Sequence, residues 1–350
     1  MTRKSNNLEL SLVEYDHLEE NDANNNSDSD KDEDGIFVKM FDNESDEVHV
    51  DPDELHQSER KYVQIGVVIS IILVITSLLG AIWPDTFDFF KFPTTGGFWM
   101  TLLPSPLAVY GLFFVFAYPN VYHQVRANIT RKGTHLTVQI VVFIGFFVID
   151  NEDDLEEVCA QFFWIAFYTY WSNIVFMDFF RQKVSFFRFA FRAVDRKEDR
   201  PHTLLWNSTQ TTLMIGLNAT ITAYVSGENK SLFGLIPIII IGLGDGLAEP
   251  VGIFYGKHKY KTTALFSKKS FTRSYEGSAC VFFFTALACC IAYPHYDNDS
   301  QFVFMLLVLP LAETLAEAKA PHTFDGPFMQ IVFIIALAIM LQIGDTDDDR

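Results

Sequence analysis

Gly244-Asp245-Gly246-Leu247-Ala248-Glu249-Pro250-Val251-Gly252-Ile253-Phe254-Tyr255-Gly256-Lys257-His258-Lys259-Tyr260 follows directly on the apolar run 232–243. It sets two carboxylates at the mouth of a hydrophobic segment and then a cluster of cations. A charge at bilayer depth costs roughly 2.5 kcal/mol or more, so acids placed there mark a functional site. If the helix continues through Pro250, Asp245 and Glu249 stand at i and i+4 on one face, with Gly252 and Gly256 extending the stripe.

The rest of the chain gives that segment its setting. Of 350 residues, 49% are hydrophobic and 35 are phenylalanine. Apolar runs of near-spanning length recur, which predicts an all-α polytopic integral membrane protein with about nine transmembrane helices. They lie roughly over 63–83, 98–117, 134–149, 158–180, 204–225, 232–243, 278–293, 302–315 and 329–343. No internal repeat is visible. Residues 1–60 read instead as a disordered acidic cytoplasmic tail, and 61–345 as the membrane domain, with the tail too polar to bury a core. Of the net charge of −18, residues 1–60 carry 19 acidic and 5 basic side chains, so the membrane domain is close to neutral. The tail has neither an apolar signal-peptide core nor an Arg-rich, acid-poor transit composition. The four cysteines, Cys159, Cys280, Cys289 and Cys290, lack metal-ligand spacing and read as small apolar helix residues.

Charge predicts the orientation. With the N-terminus in the cytoplasm, 17 Lys and Arg fall in the cytoplasmic loops 118–133, 181–203, 244–277 and 316–328. Only Lys91, Lys230 and Arg350 fall opposite, as the positive-inside rule expects. The acidic loop Asp150–Glu157 also falls on that far side. Every polar constellation of interest then shares the cytoplasmic face, which suits an enzyme using a cytosolic nucleotide. A transporter more often sets its polar residues near the midplane.

Each constellation has a functional and a plain reading. Asp245 and Glu249 suit a Mg²⁺ ion bridging to phosphates, or they form ion pairs with Lys257 or Lys259 while the glycines pack helices. Lys257, Lys259 and Lys261, with Lys268, Lys269 and Arg273, could cradle phosphates or touch anionic lipid. Gly277-Ser278 offers backbone N–H groups to an anion, or Ser278 simply caps a helix. Arg131 and Lys132 follow from topology. His135 just inside the third segment reads as structural, as do Asn207, Gln210 and Asn218 in the fifth. Glu313, Glu317, His322 and Asp325 put four ionisable groups on the active face. The chain has no Walker A loop, no dinucleotide-binding glycine fingerprint, no His-rich metal motif and no Gly-x-Ser-x-Gly elbow.

Taken in order, these pieces resemble the polyprenol kinase and CTP-dependent lipid kinase family, which includes dolichol kinase, phytol kinase and diacylglycerol kinase and is related to the phosphatidate cytidylyltransferases. Arg131-Lys132-x-x-His135 is similar to the family's Arg-Lys-x-x-His. Gly244-Asp245-Gly246-Leu247-Ala248-Glu249 with Gly252 and Gly256 resembles its Gly-Asp-x-x-Ala segment, and looks closest to phytol kinase. Lys269 to Arg273 and Glu276-Gly277-Ser278 look like its Lys-Ser/Thr…Gly-Ser segment, and Glu317 to Asp325 its acidic residue followed by Asp-Asn. The family's Asp-Asn-x-x-Val-Pro is replaced by Asp325-Gly326-Pro327, so no binding role is carried over to Asp325. The resemblance covers about 130–330.

The resemblance implies phosphoryl transfer from CTP to the hydroxyl of a membrane lipid alcohol at the cytoplasmic face, with Mg²⁺. Asp245 and Glu249 would hold the metal. Gly244, Gly246, Lys257, Lys259, Lys269, Arg273, Glu276, Gly277, Ser278, Arg131 and Lys132 would bind the nucleotide. Glu317 or His135 would orient or deprotonate the lipid hydroxyl. The expected partners are the lipid alcohol, the nucleotide and the bilayer, with no nucleic acid, and the expected location is the endoplasmic reticulum or a related endomembrane. CDP-lipid synthesis is the neighbouring alternative. A transporter or non-catalytic scaffold is the alternative of another class.

Overall fold

Asp51-Pro52-Asp53-Glu54 carries its own start signal for a helix. The Asp51 carboxylate accepts a hydrogen bond from the Asp53 backbone N–H at 3.0 Å. Proline takes the first helical position and two acids fill the first turn, where the helix dipole favours negative charge. The resulting helix α1, Pro52–Ile82, runs 31 residues. The computed structural model describes residues 50–82, 105–148, 155–224, 231–265, 270–321 and 323–343. The acidic tail up to residue 49, Lys268, Lys269, His322, most of the loop 150–157 and the far-side cations Lys91, Lys230 and Arg350 lie outside those residues.

After α1 come α2 (Ser105–His123), α3 (Ala127–Val148), α4 (Leu155–Ser172), the short helices α5 (Asp178–Lys183) and α6 (Ser185–Phe191), and α7 (Thr203–Tyr224). The second half comprises α8 (Leu235–Ile239), a π-helical stretch Ile240–Asp245, α9 (Gly246–Phe254), strands β1 (Lys259–Thr263) and β2 (Ser270–Ser274), α10 (Tyr275–Ile291), α11 (Asp299–Lys319) and α12 (Asp325–Met340). The described chain is therefore mostly helical. Three stretches are long and apolar enough to cross a membrane, Pro52–Leu79, Ile236–Phe254 and Asp299–Lys319, and α10 and α12 are shorter apolar helices. On α1, Val67, Val68, Ile71, Ile72, Val74, Ile75 and Leu78 are all exposed. A continuous apolar stripe of this kind fits a lipid-facing surface far better than a wet one.

Two apolar cores organise the bundle. One gathers Tyr62, Tyr110, Phe113, Tyr170, Phe176 and Phe191 from α1, α2, α4 and the segment after it. There α1 and α4 clasp reciprocally: the Tyr62 hydroxyl donates to the Tyr170 carbonyl at 2.6 Å, and the Tyr170 hydroxyl to the Tyr62 carbonyl at 2.7 Å. Their rings stack at 4.8 Å. The other core gathers Ile221, Phe233, Ile236, Val281, Met305, Leu309 and Phe333 from α7 to α12.

Sequence reading treats 244–277 as a loop after a possible helical extension. The helix does continue, through Pro250 to Phe254. Beyond it lies an antiparallel hairpin among the described residues, paired from Lys259↔Ser274 to Thr263↔Ser270. Its Tyr, Phe and β-branched Thr residues suit extended backbone. The hairpin is tied down at both ends: the Leu265 N–H donates to the Lys319 carbonyl at 2.8 Å, and the Tyr275 N–H to the His258 carbonyl at 2.9 Å.

Candidate functional site

The first turns of α3 deliver two cations into the interior. Arg131 and Lys132 are each only 3% exposed. The Lys132 ammonium donates to both Asp245 oxygens, at 2.8 and 2.7 Å, and lies 3.7 Å from the Asp325 carboxylate. Arg131 donates to Glu249 at 3.2 Å, and the Asn128 amide donates to the other Glu249 oxygen at 2.8 Å. One turn of α3 thus faces the π-helical stretch, α9 and the start of α12 together.

The π-helical stretch matters here because it ends on Asp245. Single π turns interrupt α-helices mostly at functional sites, since the extra residue re-aims the side chains that follow. Asp245 is 4% exposed, so it needs the Lys132 ammonium: an isolated carboxylate cannot be kept ionised away from water without a partner.

A second layer extends the cluster. Arg196 is 1% exposed, donates to Asp199 at 2.7 Å and approaches Glu249 to 4.0 Å. Thr323 bridges them, accepting from Arg196 at 3.3 Å and donating to Asp199 at 3.1 Å. It does so with φ at 81°, a costly conformation for a β-branched residue. The named set therefore holds three cations, Arg131, Lys132 and Arg196, against four carboxylates, Asp199, Asp245, Glu249 and Asp325. Beside it Arg273 of β2 pairs with Glu317 of α11. Some donors and acceptors stay open. Nε and one terminal nitrogen of Arg131, one Glu317 oxygen and both Glu313 oxygens are buried without a hydrogen-bond partner.

The expected site residues divide into three groups. Arg131, Lys132, Asp245 and Glu249 converge, and Arg273 meets Glu317. His135 sits half-buried about two turns into α3, with Gly244 and Gly246 buried on either side of Asp245. A second group faces the hairpin: Glu276 pairs with the His258 ring at 2.8 Å, and the Ser278 hydroxyl shares a 2.7 Å hydrogen bond with Tyr260. Lys257 and Lys259 are exposed, and the carboxylates of 245 and 249 take their cations from α3 instead. Lys269 lies outside the described residues. The cap of α10 is Ser274, which accepts from the Gly277 N–H at 3.1 Å, so Ser278 is free for Tyr260.

The glycines here set helix approach. A Cβ on Gly277 would lie 2.7 Å from the Ala248 carbonyl oxygen, and one on Gly252 would lie 2.9 Å from the Ser274 hydroxyl. One on Gly256 would meet the Gly252 carbonyl oxygen at 2.2 Å. Together they bring α9 and α10 into contact around Ser274.

Sequence reasoning misses Asn128, Arg196, Asp199 and Thr323, and leaves Asp325 without a role. Asn128 and Arg131 stand at i and i+3 on the same helical face, a spacing that could have drawn attention to Asn128. Arg196 and Asp199 repeat that spacing within a cation-rich loop and are indistinguishable there from topological charge.

No family model, curated protein or solved structure matches the chain.

Proposed function

We propose that the chain is a CTP-dependent lipid kinase that phosphorylates the hydroxyl of a membrane lipid alcohol, of isoprenoid or diacylglycerol type, at the cytoplasmic face of an endomembrane. The observation that carries this reading is the convergence of Arg131-Lys132 on Asp245 and Glu249, across more than a hundred residues of chain. Two of the four motif pieces in the resemblance thereby meet in one buried polar site. Asp325, from the fourth, joins them through Lys132.

The residues suit the groups the reaction needs. Lys132 already holds a positive charge between Asp245 and Asp325, and the set has one carboxylate more than it has cations. Among the described residues no three His, Cys, Asp or Glu side chains are gathered to hold a metal ion, so Asp245 and Glu249 would take a Mg²⁺ ion only by exchanging Lys132 and Arg131 for it, with phosphate oxygens completing its ligands. When bound, the metal would draw charge from the phosphates of the nucleotide. The open nitrogens of Arg131 are donors a phosphate oxygen would satisfy, and the open Glu317 oxygen is an acceptor for a lipid hydroxyl proton. Phosphoryl transfer asks mainly for such positioning and charge neutralisation. About nine spans, with the N-terminus in the cytoplasm, would put the cluster and the hairpin on the nucleotide side.

Glu313, buried with neither oxygen hydrogen-bonded, favours a second reading, cation-coupled transport, because intramembrane carboxylates also mark ion paths and proton relays. One experiment separates the two. Purified chain with Mg²⁺ and CTP labelled at the γ-phosphate is offered a panel of lipid alcohols. Label is expected in lipid, falling at least about 100-fold in Asp245→Asn. No transfer to any alcohol, or full activity in Asp245→Asn, would sink the kinase reading. Label released as pyrophosphate with CDP-lipid formed would indicate cytidylyl transfer.

A further inference from the structure

Apart from the ion cluster, α1, α5, α6, the loop before α7 and the first turn of α7 line an open cavity of about 310 Å³. Four arginines line it: Arg181, Arg188, Arg192 and Arg200. The acids of the lining are already engaged. Glu59 accepts the Asp178 backbone N–H at 2.5 Å. Asp178 lies 3.7 Å from Arg181 and accepts from Gln182 at 2.5 Å. Asp195 accepts from Arg200 at 3.0 Å and from Thr203 at 2.8 Å. Arg188 and Arg192 have no carboxylate partner among the described residues, and the Nε of Arg181 is buried with no acceptor. Four guanidinium groups against the three carboxylates Glu59, Asp178 and Asp195 leave the lining positive, which suits an anion, and the guanidinium fork matches phosphate oxygens in particular.

The depth of the cavity says where that phosphate comes from. Ser58, Glu59 and Tyr62 of α1 line it, and the exposed apolar stripe of α1 begins at Val67. Five residues of helix rise about 7.5 Å, close to the thickness of one headgroup layer, about 5–8 Å. The short helices fit the same level. Phe179 on α5 is 57% exposed and Phe186 on α6 is 39% exposed, while the arginines of these helices face the cavity. The Lys183 ammonium lies over the Phe179 ring at 3.7 Å and Phe186 stacks on Phe114 at 5.2 Å, a mixture of aromatic rings and cations that suits the level of the interface.

We propose that this cavity binds the phosphate of an anionic phospholipid headgroup, with the exposed phenylalanines of α5 and α6 at the level of the headgroups. The site is separate from the kinase reading and stands without it. To test it, the full chain in neutral detergent is titrated with dihexanoyl phosphatidylglycerol, dihexanoyl phosphatidylcholine and inorganic phosphate, read by thermal melting and native mass spectrometry. Phosphatidylglycerol is expected to bind and raise Tm at concentrations where the other two do not. Arg188→Gln with Arg192→Gln is expected to weaken that binding roughly tenfold or more. Arg188→Lys with Arg192→Lys, which keeps the charge and loses the fork, is expected to bind between the parent and the glutamine variant, and Lys319→Gln, an exposed cation at the end of α11, binds like the parent. Both arginines are exposed, so the folds should be equal. If the double glutamine variant melts lower without lipid, Arg192→Gln alone, scored by retained lipid, replaces it. Equal binding of phosphatidylcholine, inorganic phosphate as tight as the lipid, or unchanged binding in the glutamine variants overturns the proposal.

Discussion

Lys132 is the single residue on which the site's charge balance turns. It reaches Asp245 and Asp325 at once, from a helix face that solvent barely touches. Lys132→Met removes the cation and leaves two buried carboxylates facing each other. Breaking a buried ion pair on one side costs about 3–5 kcal/mol, and a loss of that size is expected in unfolding from mixed micelles. Adding Asp245→Asn removes one of the stranded charges, so the double variant should be more stable than Lys132→Met by at least about 1 kcal/mol. Strict additivity of the two losses would mean that the pair is not coupled. The residue types of this site were legible in the sequence: acids at a bilayer boundary ask for partners. Which cations answer was not legible. Lys257 and Lys259 are nearest along the chain, yet the helix carries Asp245 and Glu249 inward while Lys257, just before the hairpin, and Lys259, at its start, stay exposed. Arg196 and Thr323 were hidden for a related reason. Their value comes from contacts across 127 residues, and nothing local in Asp195–Asp199 or Thr323-Phe324 announces them.

At the scale of elements, the α9–α10 crossing is where sequence and packing meet most tightly. Ser274 caps α10 and also fills the space left by Gly252, Gly256 and Gly277. Gly277→Ala would push a methyl against the Ala248 carbonyl, so a loss of about 1–3 kcal/mol in stability is expected. Gly244→Ala is a fair comparison, since its Cβ would lie 3.4 Å from the nearest atom, the Val281 Cα. It should change stability by no more than about 1 kcal/mol. Equal tolerance at both positions would show that the glycines do not set the crossing, and would return Gly277 to a role in anion binding. The Tyr62–Tyr170 clasp gives a second check: Tyr170→Phe keeps the stacked ring and loses one hydrogen bond, at a cost of about 1 kcal/mol in the same assay. Most helices were legible because apolar runs of this length have few alternatives; the run 158–180 instead breaks after Ser172 into a 3-10 turn and α5, and the tail read as disordered to residue 60 is helical from Pro52. The π-helical stretch and the hairpin were not. A one-residue change in helical winding leaves no mark on composition, and Lys259–Thr263 reads as loop until its partner strand is beside it.

For the whole molecule, the distribution of cations predicts which side faces the cytosol, and accessibility tests it directly. With the four native cysteines replaced, Lys257→Cys is expected to react with a membrane-impermeant maleimide only from the side on which residue 50 lies. Labelling from the opposite side would reverse the orientation and separate the ion cluster from any cytosolic nucleotide. Among the native thiols, Cys289 is buried while Cys290 beside it is exposed on an apolar helix. Cys290 should therefore take up a lipid-soluble maleimide and Cys289 should not.

The Lys132–Asp245 contact also bears on how the protein is made. The two residues are 113 apart in the chain, and α3 leaves the ribosome long before α9. At about 5–20 residues per second, that interval is about 6–23 s. For that time Arg131 and Lys132 must remain at the membrane surface or be sheltered by another protein, because their carboxylates do not yet exist. Assembly of this bundle is thus timed by the arrival of one late helix, and a nascent chain stalled before residue 245 would present an unmatched pair of charges for quality control to find.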